Sequence, residues 1–263
     1  MWHREWTRRH WLASAGAAAA SLAVTSVRSS AAEMQAPPPS TRATFPGTIP
    51  VAMLLGPNAT LIDFAGPWEM LGAASYVCPG FNVYSVAKTR APILCDDARS
   101  VMGGGKPPSA PYVVPDYTFD DVPAPRILIV GAQIGEDARM FEWIRQVAKT
   151  ADLVASVCTG AFLLAKAGAL DGKRATTNRN AYDQFEKNFP KVKLVRGVRF
   201  VDDGKVASAT GLTAGIDLAL HIVNRFYGAK AAGALADYEE WPTDAATNAG
   251  TEPPDPVATR AKR

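Results

Sequence analysis

The sequence is poor in histidine and cysteine, and it lacks a long run of strongly apolar residues. Three of its 263 residues are histidines and three are cysteines. No segment reaches the ~18 consecutive apolar residues of a membrane-spanning helix, so we predict no stable membrane span. Cys78 and Cys95 can form a disulfide in an oxidising compartment, which would leave Cys158 as the odd thiol. The spacing alone does not decide between that pair and three free thiols.

The first 32 residues have the composition of an export signal. Thr7-Arg8-Arg9-His10-Trp11-Leu12 is a twin-arginine pattern, and an Ala-rich run follows it. Small residues at Ser30-Ala31-Ala32 suit cleavage before Glu33. We therefore predict a signal peptide over residues 1–32, recognition by the twin-arginine export machinery, and a periplasmic or otherwise exported protein.

The positive charge of the chain belongs to that signal. The whole sequence carries +3, and residues 1–32 carry four arginines against one glutamate, also +3, so the rest sums to 3 − 3 = 0. A neutral domain has no electrostatic footprint for a nucleic acid. We predict no nucleic-acid partner.

Short apolar runs alternate with amphipathic segments from residue 48 to residue 240. Buried-strand runs lie at 49–55, 81–87, 126–130 and 152–157, a hairpin with an Asp-Gly turn is predicted over 200–206, and short β pieces are expected around Val101 and 112–114. Helical patterns follow most runs, one of them from Thr213 to just before Gly228. The alternation predicts one α/β domain, 48–240, with a mainly parallel sheet. A Pro-rich linker, 33–47, precedes this domain, and a polar tail, 241–263, follows it.

The segment from Asp152 to Gly168 contains the strongest candidate for chemistry. Its Val-rich start is typical of a buried strand, and its Leu-rich second half is typical of a helix that ends at Gly168. Cys158 stands at the corner between them, followed by Thr159 and Gly160. This order predicts a nucleophile elbow in which the helix N-terminus favours the thiolate. The alternative is a small buried cysteine without chemistry.

Histidine is the usual proton-handling partner of such a thiol, and this chain has little of it. His3 and His10 fall in the export signal, and His221 lies inside a predicted helix. Site residues of parallel sheets lie at the carboxyl ends of strands, so we predict that His221 is a surface or partly buried histidine rather than a catalytic one, and we predict no Cys–His–Asp triad. Asp63, after the first strand, is the best candidate for the proton-handling group. A nearby thiolate would raise the pKa of its carboxyl group, so that Asp63 stays protonated and donates a hydrogen bond. Its alternative role is to cap a helix whose first turn contains Pro67.

Small and polar residues complete the predicted pocket. Thr159 has a hydroxyl that can orient substrate or water, and its backbone N–H, with one from Gly131 or Ala132, can bind a developing anion. Gly160 belongs to the same turn, and Asn178 follows a strand end at its border.

Two other features of the sequence are not assigned to the active site. Asp217 is most simply an acid that complements the dipole of its helix. The glycine-rich segment 103–107 is not a phosphate loop, because a proline rather than Ser or Thr follows its lysine. We predict no metal and no cofactor.

Four motifs lie in register between about Ile49 and Tyr238. They are Asp63-Phe64-Ala65-Gly66-Pro67, Ser156-Val157-Cys158-Thr159-Gly160-Ala161-Phe162-Leu163-Leu164-Ala165, Leu170-Asp171-Gly172-Lys173-Arg174-Ala175-Thr176-Thr177 and Thr213-Ala214-Gly215-Ile216-Asp217. Together they resemble the DJ-1/PfpI superfamily, of class I glutamine amidotransferase-like fold, and within it the isonitrile hydratase-like branch. The resemblance implies a flavodoxin-like three-layer sandwich and a homodimer.

The resemblance also implies roles for individual residues. Cys158 would be the nucleophile, Asp63 the acid that faces it, and Thr159 its neighbour in proton handling. By analogy the thiolate attacks the terminal carbon of a small isonitrile, and water converts the resulting thioimidate to an N-substituted formamide. Such an enzyme is a cofactor-independent hydro-lyase.

The sequence departs from the superfamily pattern at two places. The protease and glyoxalase branches carry a histidine at or near the residue after the cysteine, where Thr159 and Asn178 stand here, so protease and amidotransferase activities are not expected. The usual Pro-Gly-Gly after the middle strand is replaced by Gly131-Ala132-Gln133. Related transcription regulators append a DNA-binding domain, which we do not expect because the chain ends at Arg263.

Two further functions remain open from the residues alone. One is a non-enzymatic exported stress or redox-sensing protein whose Cys158 is oxidised reversibly. The other is a small-ligand-binding domain in which the cysteine is inert.

Overall fold

The structure, a computed structural model, describes residues 47–96, 110–135 and 137–242. The strands in chain order are β1 (Ile49–Leu54), β2 (Ala59–Thr60), β3 (Phe81–Ala87), β4 (Ile93–Asp96), β5 (Tyr112–Val113), β6 (Tyr117–Thr118), β7 (Ile127–Val130), β8 (Leu153–Val157), β9 (Arg174–Ala175), β10 (Lys193–Leu194), β11 (Phe200–Asp202) and β12 (Val206–Ala209). The α-helices are α1 (Leu61–Ala73), α2 (Ala138–Thr150), α3 (Gly160–Lys166), α4 (Tyr182–Asn188), α5 (Ala214–Tyr227) and α6 (Ala229–Tyr238), and short 3₁₀ helices lie at Ala74–Tyr76 and Arg179–Ala181.

Seven strands form the central sheet, in the order β11-β12-β8-β7-β1-β3-β6. Every neighbouring pair in it is parallel except β11 with β12, which form the hairpin predicted around the Asp-Gly turn. The inner strands are almost continuously apolar because helices cover both faces of a parallel sheet. The prediction of an α/β fold with a mainly parallel sheet is confirmed.

Two apolar cores lie on the two faces of the sheet. Met53, Ile129 and Val157 point to one face and pack with residues of α1, α5 and α6. Alternate positions such as Leu128 and Val154 point to the other face and pack with residues of α2, α3 and α4. This alternation follows from the two-residue period of a strand, and it gives the three layers predicted. A fully buried leucine of this kind typically contributes about 2–5 kcal/mol, measured against alanine.

Helix α1 differs from its prediction in a way that matters for the site. It begins at Leu61 rather than near Pro67, so Pro67 lies inside the helix and Asp63 lies in its first turn. Proline has no N–H to donate, so the carbonyl of Asp63 lacks its usual partner four residues on. The interpretation of Asp63 as a cap before Pro67 is therefore wrong. Thr60 is the residue that precedes the helix.

All three cysteines are free, so Cys78 and Cys95 form no disulfide in this structure. Within the described ranges no helix has the length and apolarity needed to cross a lipid bilayer. The predicted signal peptide, nearly all of the Pro-rich linker, the segment around Val101 and most of the tail lie outside the described residues. The first tail residue, Trp241, is joined to the domain, since its indole N–H donates to Asp217 over 3.0 Å.

Candidate active site

Cys158 occupies a sharp turn between β8 and α3. Its φ angle is +60°, a left-handed conformation that is costly for a residue with a Cβ. Its backbone N–H donates to the carbonyl of Ala209, at the end of the neighbouring strand β12, over 3.1 Å. Gly160 is required by space, because a Cβ there would lie 2.0 Å from the carbonyl oxygen of Val130. The predicted nucleophile elbow is therefore present as backbone geometry.

Three groups surround the Cys158 sulfur. The Asp63 carboxyl is hydrogen-bonded to the thiol, and so is the backbone N–H of Thr159. The side-chain amide of Asn178 donates to the sulfur over 3.3 Å. The side-chain oxygen of Asn178, Oδ1, accepts the N–H of Asn180 over 3.0 Å, which turns the NH₂ group toward the sulfur. Asp63, Thr159 and Asn178, predicted from separate parts of the sequence, thus meet at one thiol.

Asp63 is fully buried, and its hydrogen-bond partners among the described residues include no cation. One carboxylate oxygen, Oδ2, accepts the N–H of Ala132 and the other, Oδ1, accepts the N–H of Leu212, each over 3.0 Å. The carboxyl group thus joins α1 to the loops after β7 and β12. Gly131 leaves room for it, because a Cβ there would lie 3.0 Å from the Cβ of Asp63.

The electrostatics of the pair differ from the sequence prediction. Burial raises the pKa of Asp63 to about 6, against the hydrogen bonds, which lower it. Burial, reinforced by the negative charge of Asp63, raises the pKa of the Cys158 thiol to about 12. The predicted stabilised thiolate is therefore not the resting form: α3 has only seven residues and its effect does not offset burial. At neutral pH the sulfur keeps its proton, and the S–H group donates a hydrogen bond to the ionised Asp63 carboxylate. The predicted hydrogen bond ran in the opposite direction, from a protonated Asp63 to a thiolate.

The predicted anion-binding groups are only partly available. The N–H of Ala132 is already used by Asp63, so it does not face an incoming anion as predicted. The N–H of Thr159 points to the sulfur. Thr159 is half-buried, and its side chain makes no capping hydrogen bond to α3.

Three residues of the site were not found from the sequence. Leu212 holds Asp63 through its backbone, with a φ of +53°. A Cβ at Gly211 would lie 3.1 Å from the Cys158 sulfur, so a glycine is needed there. Thr177 donates from its hydroxyl to the Cys158 carbonyl over 2.9 Å. The available signal was positional, since 211–212 follow β12 and 177 follows β9 at the same edge of the fold.

His221 and Asp217 belong to other clusters. His221 is buried rather than at the surface, and its Nε2 lies 2.7 Å from Asp202 of β11. Asp217 is also buried and forms an ion pair with Arg199, a stronger role than the dipole effect predicted for it. Neither side chain contacts Cys158. Among the described residues no cluster of three or more His, Cys, Asp or Glu side chains is arranged to hold a metal ion.

Comparison with known proteins agrees with this geometry. The DJ-1/PfpI family matches residues 50–225. Isonitrile hydratase from Pseudomonas putida is 32% identical over 183 residues, which are 68% of this chain and 72% of that enzyme. The HTH-type transcriptional regulator GbdR from Pseudomonas aeruginosa is 27% identical over 191 residues, which are 71% of this chain and 49% of the regulator.

A solved structure shows the same fold. The crystal structure of a ThiJ/PfpI family protein from Pseudomonas syringae superposes with a TM-score of 0.62, at 24% identity, over 86% of this chain and 91% of that one. The mainly parallel seven-stranded sheet, the elbow at Cys158 and the family match over 50–225 lead to one conclusion. The chain is a member of the DJ-1/PfpI family.

Proposed function

We propose that this protein is a cysteine-dependent hydratase that converts a small isonitrile into an N-substituted formamide. One observation carries the proposal: a buried thiol is hydrogen-bonded to a buried carboxylate, with neutral donors as the other neighbours. A site of this kind can move one proton between sulfur and oxygen without a histidine. The similarity to isonitrile hydratase over 72% of that enzyme supports the substrate class.

The first step uses Asp63 as the base. As the sulfur of Cys158 attacks the terminal isonitrile carbon, its proton passes to the Asp63 carboxylate, and a C–S bond forms. Asp63 then gives the proton to the same carbon, which completes a thioimidate, R–N=CH–S–Cys. A pKa of about 6 suits both transfers, because the carboxyl group is ionised at rest and still acidic once protonated.

The second step adds water to the thioimidate carbon. The hydroxyl group bonds to carbon, and the remaining proton goes to nitrogen. The tetrahedral adduct then collapses to R–NH–CHO and the Cys158 thiol, so that the sum is one isonitrile plus one water. The Thr159 hydroxyl is the half-buried group available to orient that water, and the Asn178 amide stabilises charge on the departing sulfur.

A turnover assay tests the proposal. Purified protein is given a simple alkyl isonitrile, and the formamide is followed over time. Cys158→Ala should remove turnover entirely, whereas Cys78→Ala, at a half-buried free thiol, should keep it. Absence of turnover in the parent protein, or turnover that survives Cys158→Ala, would rule the proposal out.

A small-ligand-binding domain is the second candidate, favoured by the raised pKa of Cys158 and the similarity to GbdR. It predicts that isonitriles are not consumed, although a small molecule stabilises the protein against heat. Reversible redox sensing has weaker support, because oxidation proceeds through the thiolate and burial raises the pKa of Cys158 to about 12.

We also propose that residues 1–32 direct export and that the protein acts as a homodimer. The twin-arginine pattern and small-residue cleavage site support the first point, and the resemblance to a usually dimeric superfamily supports the second. Fractionation of cells producing the protein with Arg8 and Arg9 changed to Lys tests export. Sedimentation of the purified protein tests the dimer.

A further inference from the structure

Three buried polar atoms, in residues close in sequence to Asp63 or to its partner Ala132, have no hydrogen-bond partner among the described residues. They are both polar atoms of the Gln133 carboxamide, Nε2 and Oε1, and the hydroxyl of Thr60. Gln133 lies in the loop that follows β7, and Thr60 is the last residue of β2, directly before α1. The mechanism proposed above uses neither side chain.

The segments that contain Thr60 and Gln133 are joined to each other and to Asp63. The N–H of Thr60 donates to the carbonyl of Ala132 over 2.8 Å, and the N–H of Ile134 donates to the carbonyl of Pro57 over 2.8 Å. The N–H of Ala132 in turn holds the Asp63 carboxylate. The Gln133 carboxamide is therefore attached one residue away from the group that holds the catalytic acid.

A glycine makes space for the Gln133 carboxamide. A Cβ at Gly56 would lie 3.2 Å from the Gln133 Cδ and 3.2 Å from its Oε1. Gly56 has no positive φ, so close approach explains it better than backbone freedom. The carboxamide thus lies against bare backbone, shielded from solvent and unpaired on both its donor and its acceptor side.

An unpaired buried carboxamide is costly, because it loses water and gains nothing in return. Native proteins keep few such groups, and those that remain need an explanation. Three further buried atoms without partners, in Ser156, Thr176 and His221, are single groups on other elements. Gln133 differs because donor and acceptor are both unpaired and both stand at the carboxyl edge of the sheet, where ligands bind.

We propose that Gln133, assisted by Thr60, binds the neutral amide group that forms when water adds to the substrate. An amide presents one N–H and one C=O, which pair with the Gln133 oxygen and NH₂ group. The nearby Asp63 carboxylate repels anionic ligands, so the subsite selects an uncharged group. This inference rests on the proposed function, because the formamide is the product of that reaction. Gln133 turns from its place against Gly56 to meet the ligand, which gives the carboxamide the partners it lacks in the free protein.

Gln133→Leu tests this inference, because leucine keeps the volume and removes both polar atoms. Without an unpaired carboxamide, the free variant should melt higher, by about 2–4 °C for a domain of this size. Its binding of amides should fall. A group with a purely structural role predicts the opposite change in melting temperature. Gln146→Leu, at an exposed position of α2, is the matched control and should alter neither property.

Amide binding can be measured without turnover. Methyl methanethiosulfonate modifies the Cys158 thiol, and mass spectrometry of its peptide gives the rate. N-methylformamide should protect Cys158 about 10-fold better than N,N-dimethylformamide, which lacks the N–H, the difference expected of one hydrogen bond. The preference should disappear in Gln133→Leu and persist in Gln146→Leu.

The outcomes separate this inference from the proposed function. A Gln133→Leu variant that keeps the amide preference, or that melts lower than the parent, overturns the inference even if isonitrile is hydrated. Loss of preference together with a raised melting temperature supports it. An absence of isonitrile turnover in a parent protein that still prefers N-methylformamide would refute the hydratase and leave Gln133 as an amide-binding residue.

Discussion

Two regions of this fold shield an aspartate from solvent, one completely and one in part, and the environments of the two carboxyl groups have opposite effects on their charge. At the carboxyl edge of the sheet, Asp63 is hydrogen-bonded by neutral N–H groups and a thiol. At the other end of β12, Asp202 binds His221 over 2.7 Å and Arg225 over 3.2 Å. Burial raises the pKa of Asp63 to about 6. For Asp202 burial acts in the same direction, but His221, the N–H of Gly204 and Arg225 together lower the pKa.

The difference separates a reactive carboxylate from a structural one. The half-buried Asp202 carboxylate, which pairs with the cation of Arg225, stays ionised and holds α5 to the hairpin of β11 and β12. A buried carboxylate without a cation can accept a proton near neutral pH, which a general base must do. The backbone of the site is also strained, because Cys158 and Leu212, which both lie there, have positive φ angles. Strain of this kind persists only where the surrounding structure holds it.

The largest expected effect concerns backbone packing in the two regions. Gly160→Ala would place a Cβ 2.0 Å from the carbonyl oxygen of Val130, and neither backbone can move without displacing β7 or the elbow. We expect a loss of more than about 4 kcal/mol, enough to unfold a marginally stable domain. Gly204→Ala, in the hairpin, has φ +80° and no atom within 4 Å, so only about 1–2 kcal/mol of backbone strain is expected. Urea unfolding of both variants measures the difference, and equal losses would refute the contrast.

The next effect compares the two aspartates in catalysis. Asp63→Asn removes the base that takes the Cys158 proton, so turnover should fall about 1000-fold. The pKa of the thiol should nevertheless decrease from about 12, because the negative charge of Asp63 is gone, while burial keeps it above the ordinary value of 9.0. Asp202→Asn should leave turnover within about twofold, since Asp202 contacts only the hairpin and α5.

Three measurements check this prediction. Formamide production gives turnover, ultraviolet titration of the thiolate gives the pKa of Cys158, and kcat/KM against pH should rise through about pH 6 in the parent as Asp63 ionises. An Asp63→Asn variant that retains turnover would assign the proton transfer to another group. A similar loss in Asp202→Asn would show that the two regions are not independent.

The pH dependence of stability should have opposite signs in the two regions. The pKa of Asp63 is raised from 3.8, so its contribution to stability is complete below pH 3.8 and is lost as the pH rises through about 6. The loss is about 3 kcal/mol, from 1.36 kcal/mol per pKa unit. The pKa of Asp202 is lowered, so its contribution is present above pH 3.8 and disappears as the pH falls through its folded value. As the pH rises from 4 to 8, Asp63→Asn should gain stability relative to the parent protein, as measured by chemical unfolding. Asp202→Asn should stay below the parent by a nearly constant amount over that range and should approach it only as the pH falls below 3.8. The assignment would be contradicted by an Asp63→Asn curve that runs parallel to the parent between pH 4 and pH 8.

Sequence patterns were sufficient for the fold and for much of the site. Apolar runs located the central strands, and the rule that sites lie at strand ends brought Asp63, Cys158 and Asn178 together before any geometry was known. The predicted start of α1 is wrong, because proline is typical of a first helical turn whereas this helix tolerates Pro67 one turn later.

The direction of the Cys158 pKa was missed for a different reason. Motif and helix position favour a thiolate, but the depth of burial, which dominates, is set by loops from four separate strands. The role of Leu212 cannot be predicted from its side chain, because it binds Asp63 through its backbone N–H. Gln133 was noted only as a departure from a glycine-rich pattern, since an unpaired carboxamide is visible only when every neighbour is known.

The smallest expected effect concerns the neutral hydrogen-bond donor of Asn178. It tests whether such a donor lowers the pKa of the thiol as charged partners lower the pKa of Asp202. Asn178 donates to the sulfur over 3.3 Å and lowers the pKa of Cys158, so Asn178→Ala should raise that pKa further and slow alkylation of the thiol about 10-fold. Asn178→Asp should slow it more, because it places a second negative charge beside the sulfur. The matched change in the hairpin, Arg225→Leu, should leave alkylation unchanged while it removes an ion pair from Asp202. If Cys158 is alkylated at the same rate in Asn178→Ala and Asn178→Asp, the amide acts through its packing rather than through its hydrogen bond to the sulfur. The neutral hydrogen bonds of this site would then be weaker than the contrast with Asp202 requires.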